Sequence, residues 1–146
     1  MPKARGEIRE FGNGFYRVRL LGKIICLSAL LIQHKNASNA CQTDVIIEKW
    51  SLKNKRWQPL KLTVHGRDIV FRCASLKPDG LITFHHFVYY LKLQKPLNAA
   101  AYKKWRQQCI AKNKDVDHTD RKVWRVIRDE LELINASSNR AKNGRD

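Results

Sequence analysis

The chain has 146 residues, and 29 Lys and Arg against 13 Asp and Glu give it a formal net charge of +16. That length suits a single domain with a core of its own, and a hydrophobic content of 43% is too high for a disordered polyelectrolyte. No stretch approaches the ~18 apolar residues that a spanning helix needs, so no membrane is expected as a partner.

The charge belongs to the whole chain. Residues 1–42 carry seven basic and two acidic side chains, residues 43–95 ten and four, and residues 96–146 twelve and seven. Such a body attracts polyanions, and nucleic acid is the commonest of these in a cell. An acidic protein partner is the alternative. Cys26, Cys41, Cys73 and Cys109 stand singly, without zinc-site spacing, which predicts buried free thiols in a reducing, cytoplasmic or nuclear compartment.

Residues 1–5 read as an unpaired arm and residues 6–11 as a first strand. Gly12, Asn13 and Gly14 supply a tight hairpin turn. Residues 15–21 alternate cleanly: Tyr16, Val18 and Leu20 face the core, while Phe15, Arg17 and Arg19 offer an aromatic beside cations, a pattern suited to stacking bases and holding phosphates. Gly22 and Lys23 read as a second turn, and residues 24–32 as a strand covered on both faces. Residues 34–42 are polar and form a loop.

Residues 44–73 form a meander. Trp50 and Trp57 flank a turn that carries Lys53, Lys55 and Arg56. The strand after that turn shares a face through Leu60, Leu62 and Val64, and Pro59, which cannot donate to a ladder, marks an edge or a bulge. His65, Gly66 and Arg67 turn the chain into a strand over residues 68–74.

Lys77, Pro78, Asp79 and Gly80 make the next turn. Phe84, Phe87, Val88 and Leu91 recur at helical spacing, which predicts a helix from about Thr83. The DGxIxxxxF pattern at Asp79–Phe87 resembles half of an EF-hand loop, but Ser75, Lys77 and His86 stand where calcium ligands are required, so no calcium is expected. A further helix is predicted over residues 99–112, capped by Asn98, with Tyr102, Trp105 and Cys109 inward and Lys103, Lys104 and Arg106 off that stripe.

After a linker at residues 113–116, Asp117 is read as the cap of a third helix buried through Val123, Trp124, Ile127, Leu131 and Ile134. Arg121, Lys122, Arg125 and Arg128 crowd its first half and Asp129, Glu130 and Glu132 its second, an order that opposes the helix dipole. Its pairing with the preceding helix offers a helix-turn-helix variant with those four cations toward a groove.

These elements predict an α+β fold: an N-terminal antiparallel β-meander or small barrel of about six strands, then two or three C-terminal helices. The divisions fall at residues 1–76 for the basic β region, 77–135 for the helical region and 136–146 for a disordered tail.

No nucleotide-binding glycine motif, GxSxG or HExxH occurs. The adjacent His85 and His86 diverge by about 100° on a helix and do not chelate one ion. His118, among Asp115, Asp117 and Asp120, fits a metal-dependent nuclease, but the expected reading is a solvated acidic cluster at a helix start. His65 with Arg67 suits a metal-free ribonuclease and equally an ordinary turn. The sequence thus predicts no cofactor, no metal and no catalytic residue. It predicts a small, non-enzymatic nucleic-acid binder that grips the phosphate backbone through a β-surface and a basic helix, with Phe15, Arg17, Arg19, Lys53, Lys55, Arg56, Trp57, Lys103, Lys104, Arg106, Arg121, Lys122, Arg125 and Arg128 as the contacting residues. The alternatives are an accessory protein docking an acidic partner in a larger nucleoprotein complex, and a small nuclease.

Overall fold

A computed structural model describes residues 7–11, 16–26, 31–32, 42–60, 62–65, 68–72, 80–118 and 125–136. The architecture is α+β, with two α-helices and three separate sheets among the described residues. None of the sheets closes into a barrel, which corrects that expectation.

The largest sheet contains β1 (Glu7–Phe11), β2 (Tyr16–Cys26), β4 (Gln42–Ser51), β5 (Arg56–Pro59) and β10 (Arg125–Val126). β2 lies between β1 and β4; the other edge of β4 pairs antiparallel with β5 near its end and parallel with β10 near its start. The alternation in β2 is as its sequence dictates, with Tyr16, Val18 and Leu20 buried.

Gly22 and Lys23 make no hairpin turn. They lie inside β2, where the register against β4 slips between Leu20 and Ile25, so the extra residues are absorbed as an irregularity in one long strand. Arg128 supports this place: its Nη2 donates to the Leu21 carbonyl at 3.4 Å, and its Nε to Asp44 at 3.0 Å. Ile24 and Ile25 therefore belong to β2, while β3 (Leu31–Ile32) pairs with another sheet, so the single strand expected over 24–32 is two.

The strand expected after Trp57 is also two. β5 ends at Pro59, the Leu60 amide donates to Ile47 at 2.8 Å, and the chain then enters a four-stranded sheet. That sheet runs β3, β6 (Leu62–His65), β7 (Asp68–Arg72), β8 (Leu81–Thr83). Pro59 sits on an edge strand, where its missing donor is harmless.

Helix α1 (Phe84–Lys92) buries Phe84, Phe87, Val88 and Leu91, the residues at helical spacing. Helix α2 (Ala99–Ala111) buries Tyr102, Trp105 and Cys109, and Asn98 Oδ1 accepts from the Ala101 amide at 2.8 Å, satisfying an otherwise orphaned donor. Phe71 on β7 meets Phe84 and Phe87 edge-on at 6.5 and 5.3 Å, and Tyr90 meets Tyr102 and Trp105 at 5.4 and 5.3 Å. One continuous core runs from Tyr16 through these aromatics to Leu131.

The third helix is absent from the described residues. Residues 113–116, expected as a linker, run into β9 (Lys114–His118), which pairs antiparallel with β11 (Leu131–Asn135); β10 and a 3₁₀ turn at Arg128–Glu130 lie between. The helix-turn-helix arrangement falls with it. Ile127 and Leu131 are buried as expected, but from extended backbone. The hydrophobic spacing is ambiguous, because Leu131 and Leu133 also fit strand alternation, and the adverse charge order is a sign against the helix. Of the cysteines, Cys109 is buried and Cys26 is exposed, the latter against expectation; Cys41, Cys73 and the tail expected over 136–146, apart from Ala136, whose amide donates to the Asn113 carbonyl at 2.8 Å, lie outside the described residues.

Candidate functional site

The expected cationic residues fall into distinct surroundings. On β2, the Arg17 Nε donates to Glu48 at 2.7 Å while its guanidinium lies 4.7 Å from the Trp57 ring centroid. Trp57 and Trp50 are direct cross-strand partners, edge-on at 5.4 Å. Arg19 reaches the other Glu48 oxygen at 4.0 Å. Glu48 is buried, so these arginines first neutralise a carboxylate of the sheet. Phe15 lies outside the described residues.

The β4–β5 turn presents the opposite case. Lys55 takes a positive φ of 52° and its amide donates to the Ser51 carbonyl at 2.8 Å, closing the turn. Lys53, Lys55 and Arg56 are all exposed at this tip.

On α2, Lys103 and Lys104 are exposed, whereas Arg106 is half-buried and its Nη1 is enclosed without a hydrogen-bond partner among the described residues. Arg125 is held by Glu130 at 2.6 Å and Gln42 at 2.9 Å, and Arg128 by Asp44. These two pin the C-terminal segment to the large sheet and do not line a helix face. Arg121 and Lys122 lie outside the described residues, as do Arg67 and the side chain of His65.

A second constellation is assembled only by the tertiary fold. Thr43, Asp44, Glu48, His85, Asp117 and His118 are the buried polar residues among those described. Thr43 Oγ1 accepts from the Val45 amide, and Asp44 and Glu48 have their arginines. The remaining three are on α1 and β9. The His85 ring lies 4.4 Å from that of His86 and 4.6 Å from that of His118. His86 Nε2 is 3.1 Å from Asp115 Oδ1.

Burial holds the His86 imidazole below its usual range, helped by the Arg106 charge and opposed by the Asp115 hydrogen bond and the charges of Asp115 and Asp68. A neutral imidazole therefore faces a carboxylate beside a cation. The Cys109 thiol, in contrast, is pushed up by burial and is unsuited to act as a nucleophile.

His118 and Asp117 thus do not form a solvated helix start: they end a strand, 6% and 2% exposed. KDVDH carries no local signal of this strand, since it holds one apolar residue, Val116, and Val116, Asp117 and His118 are buried in succession without alternation. The position of His85 and His86 opposite that strand is not readable locally, since α1 and β9 are separated by the whole of α2. Among the described residues no three metal-ligating side chains converge on one point. No protein-family model matches the chain, and no curated protein or solved structure matches it.

Proposed function

We propose that the chain binds nucleic acid through its cationic surface and cleaves the phosphodiester backbone at the end of β9. The observation that carries this reading is the gathering of His85, His86 and His118 with Asp115, beside the buried Asp117. Buried polar groups are costly, and a cluster of titratable ones apart from the ion pairs that brace a sheet marks a functional site. Imidazole is the side chain best able to move a proton near neutral pH. We assign His118 as the base that takes the proton from the water attacking phosphorus, while the P–O bond to the leaving strand breaks and its oxygen takes a proton from solvent, and Arg106 as a ligand for the phosphate. The +16 charge supplies the attraction for the polyanion.

The test is cleavage of labelled single-stranded DNA, duplex DNA and RNA at low salt, with Mg²⁺, Mn²⁺ or chelator. Products are expected with the wild type, and His118→Ala is expected to slow their formation by about 10²-fold or more while leaving binding intact. Full activity in that variant would overturn the assignment.

A second reading, binding without cleavage, is favoured by the exposed Lys53, Lys55 and Arg56 at the hairpin tip. Tight, salt-sensitive binding with no products in any metal condition would select it. Affinity that ignores salt between about 50 and 200 mM would remove both readings, and a protein that shifts no nucleic acid at low salt would favour an acidic protein partner.

A further inference from the structure

A cleft of about 870 Å³ opens between the β4–β5 hairpin and the β7–β8 edge of the four-stranded sheet. Its lining combines Trp50, Leu60 and Leu81 with the cations Lys49, Lys53 and Arg72, and among the described residues it includes no carboxylate. The three cations are exposed, and Leu52 and Leu81, at 76% and 38% exposure, leave apolar surface open to solvent at the same place. The volume is in the range of small-molecule sites, about 300–1,000 Å³. A flat apolar body carrying negative charge is the chemistry that satisfies both halves of this lining: the apolar wall removes a ring from water, and the cations meet its anionic groups.

We propose that this cleft receives an unpaired nucleotide of a nucleic-acid strand, with the base against Trp50, Leu60 and Leu81 and the phosphates on Lys49, Lys53 and Arg72. The proposal rests on the nucleic-acid reading above and adds to it a preference for single strands over duplex. A paired base is stacked on both sides and cannot enter such a cleft without being extruded, whereas an unpaired base enters at little cost. The histidine cluster takes no part in this contact.

The experiment is fluorescence anisotropy with labelled 20-nucleotide single strands of DNA and RNA and the matching blunt DNA duplex, at one fixed salt concentration. Wild type should prefer a single strand. The double variant Lys53→Glu, Arg72→Glu should weaken single-strand binding at least 10-fold and duplex binding no more than about 3-fold. Lys103→Glu with Lys104→Glu, which changes the same charge away from the cleft, should weaken both forms alike. Leu81→Glu, which leaves every cation in place, should also reduce the single-strand preference. Equal losses for single strand and duplex in the cleft variants would overturn the proposal while leaving nucleic-acid binding standing. A wild type that binds neither form would sink both. The DNA and RNA arms identify which strand the cleft accepts.

Discussion

Two antiparallel strand pairs of this molecule handle polar side chains in opposite ways. At the β4–β5 tip, Lys53, Lys55 and Arg56 stand in water and contribute through the field they project. In the β9–β11 pair, Asp117 and His118 are withdrawn from water and His118 is packed against His85. Exposed charge costs the fold little and can be supplied by composition alone. A buried imidazole or carboxylate has to be surrounded by particular neighbours, so the second pair is where geometry says more about chemistry.

The sharpest way to separate the two is by what each loses on substitution. His118→Ala is expected to lower cleavage by about 10²–10⁴-fold with binding retained, the range for removal of a general acid or base; parallel rate and affinity measurements check it. If affinity falls as far as rate, the β9 end is a binding surface like the tip, and the contrast between the two strand pairs disappears.

Arg128→Ala is expected to destabilise the fold by about 2–3 kcal/mol, because it strips Asp44 of its cation and the Leu21 carbonyl of a donor at the β2 irregularity. Urea unfolding measures this. A loss within about 0.5 kcal/mol would class Arg128 with ordinary surface cations.

Trp57→Ala should cost about 1–3 kcal/mol, because Trp50 loses its edge-on partner and Arg17 loses the ring beneath its guanidinium. Urea unfolding again provides the measurement, and it tests whether the base of the β4–β5 hairpin is braced as its tip is not.

The effect of pH is smaller. His86 has its folded pKa lowered from 6.5, so below that value the unfolded chain takes up the proton first. Stability should therefore fall as pH drops from about 6.5 toward the lowered value, and rise as pH is raised through the same window. Melting temperatures across that window should vary less for His86→Gln than for the wild type. An equal dependence in both proteins would place the titrating group elsewhere.

The least effect on stability is expected for the combined change of Lys53, Lys55 and Arg56 to Glu, within about 0.5 kcal/mol. The same variant should lower the salt slope of nucleic-acid binding by about 3, near one unit for each phosphate no longer neutralised. An unchanged slope would remove the tip from the interface.

The candidate site is legible in the sequence only in pieces. DVDHTD shows carboxylates flanking a histidine, and FHHF shows paired imidazoles. A helix from about Thr83 correctly places His85 and His86, yet nothing local indicates what lies opposite them. For Asp117 and His118 the local pattern points to the wrong backbone: hydrophobic residues at 127, 131 and 134 satisfy a helical period, and the partner of β9 lies beyond residues 119–130. The basic tip, by contrast, follows directly from WSLKNKRW.

By itself the sequence determined the cationic character, the two helices with their inward stripes, the Asn98 cap and the alternation of β2, because each depends on residues within a turn or two of one another. Tertiary structure alone decided that the strand expected over 24–32 is divided between two sheets, that Pro59 ends one sheet before another begins, that β10 joins the N-terminal sheet, and that three histidines meet. Those outcomes depend on pairing between distant segments, where the gain is set by which surfaces bury one another. Periodicity reports which face of an element seeks cover; only the assembled fold determines what covers it.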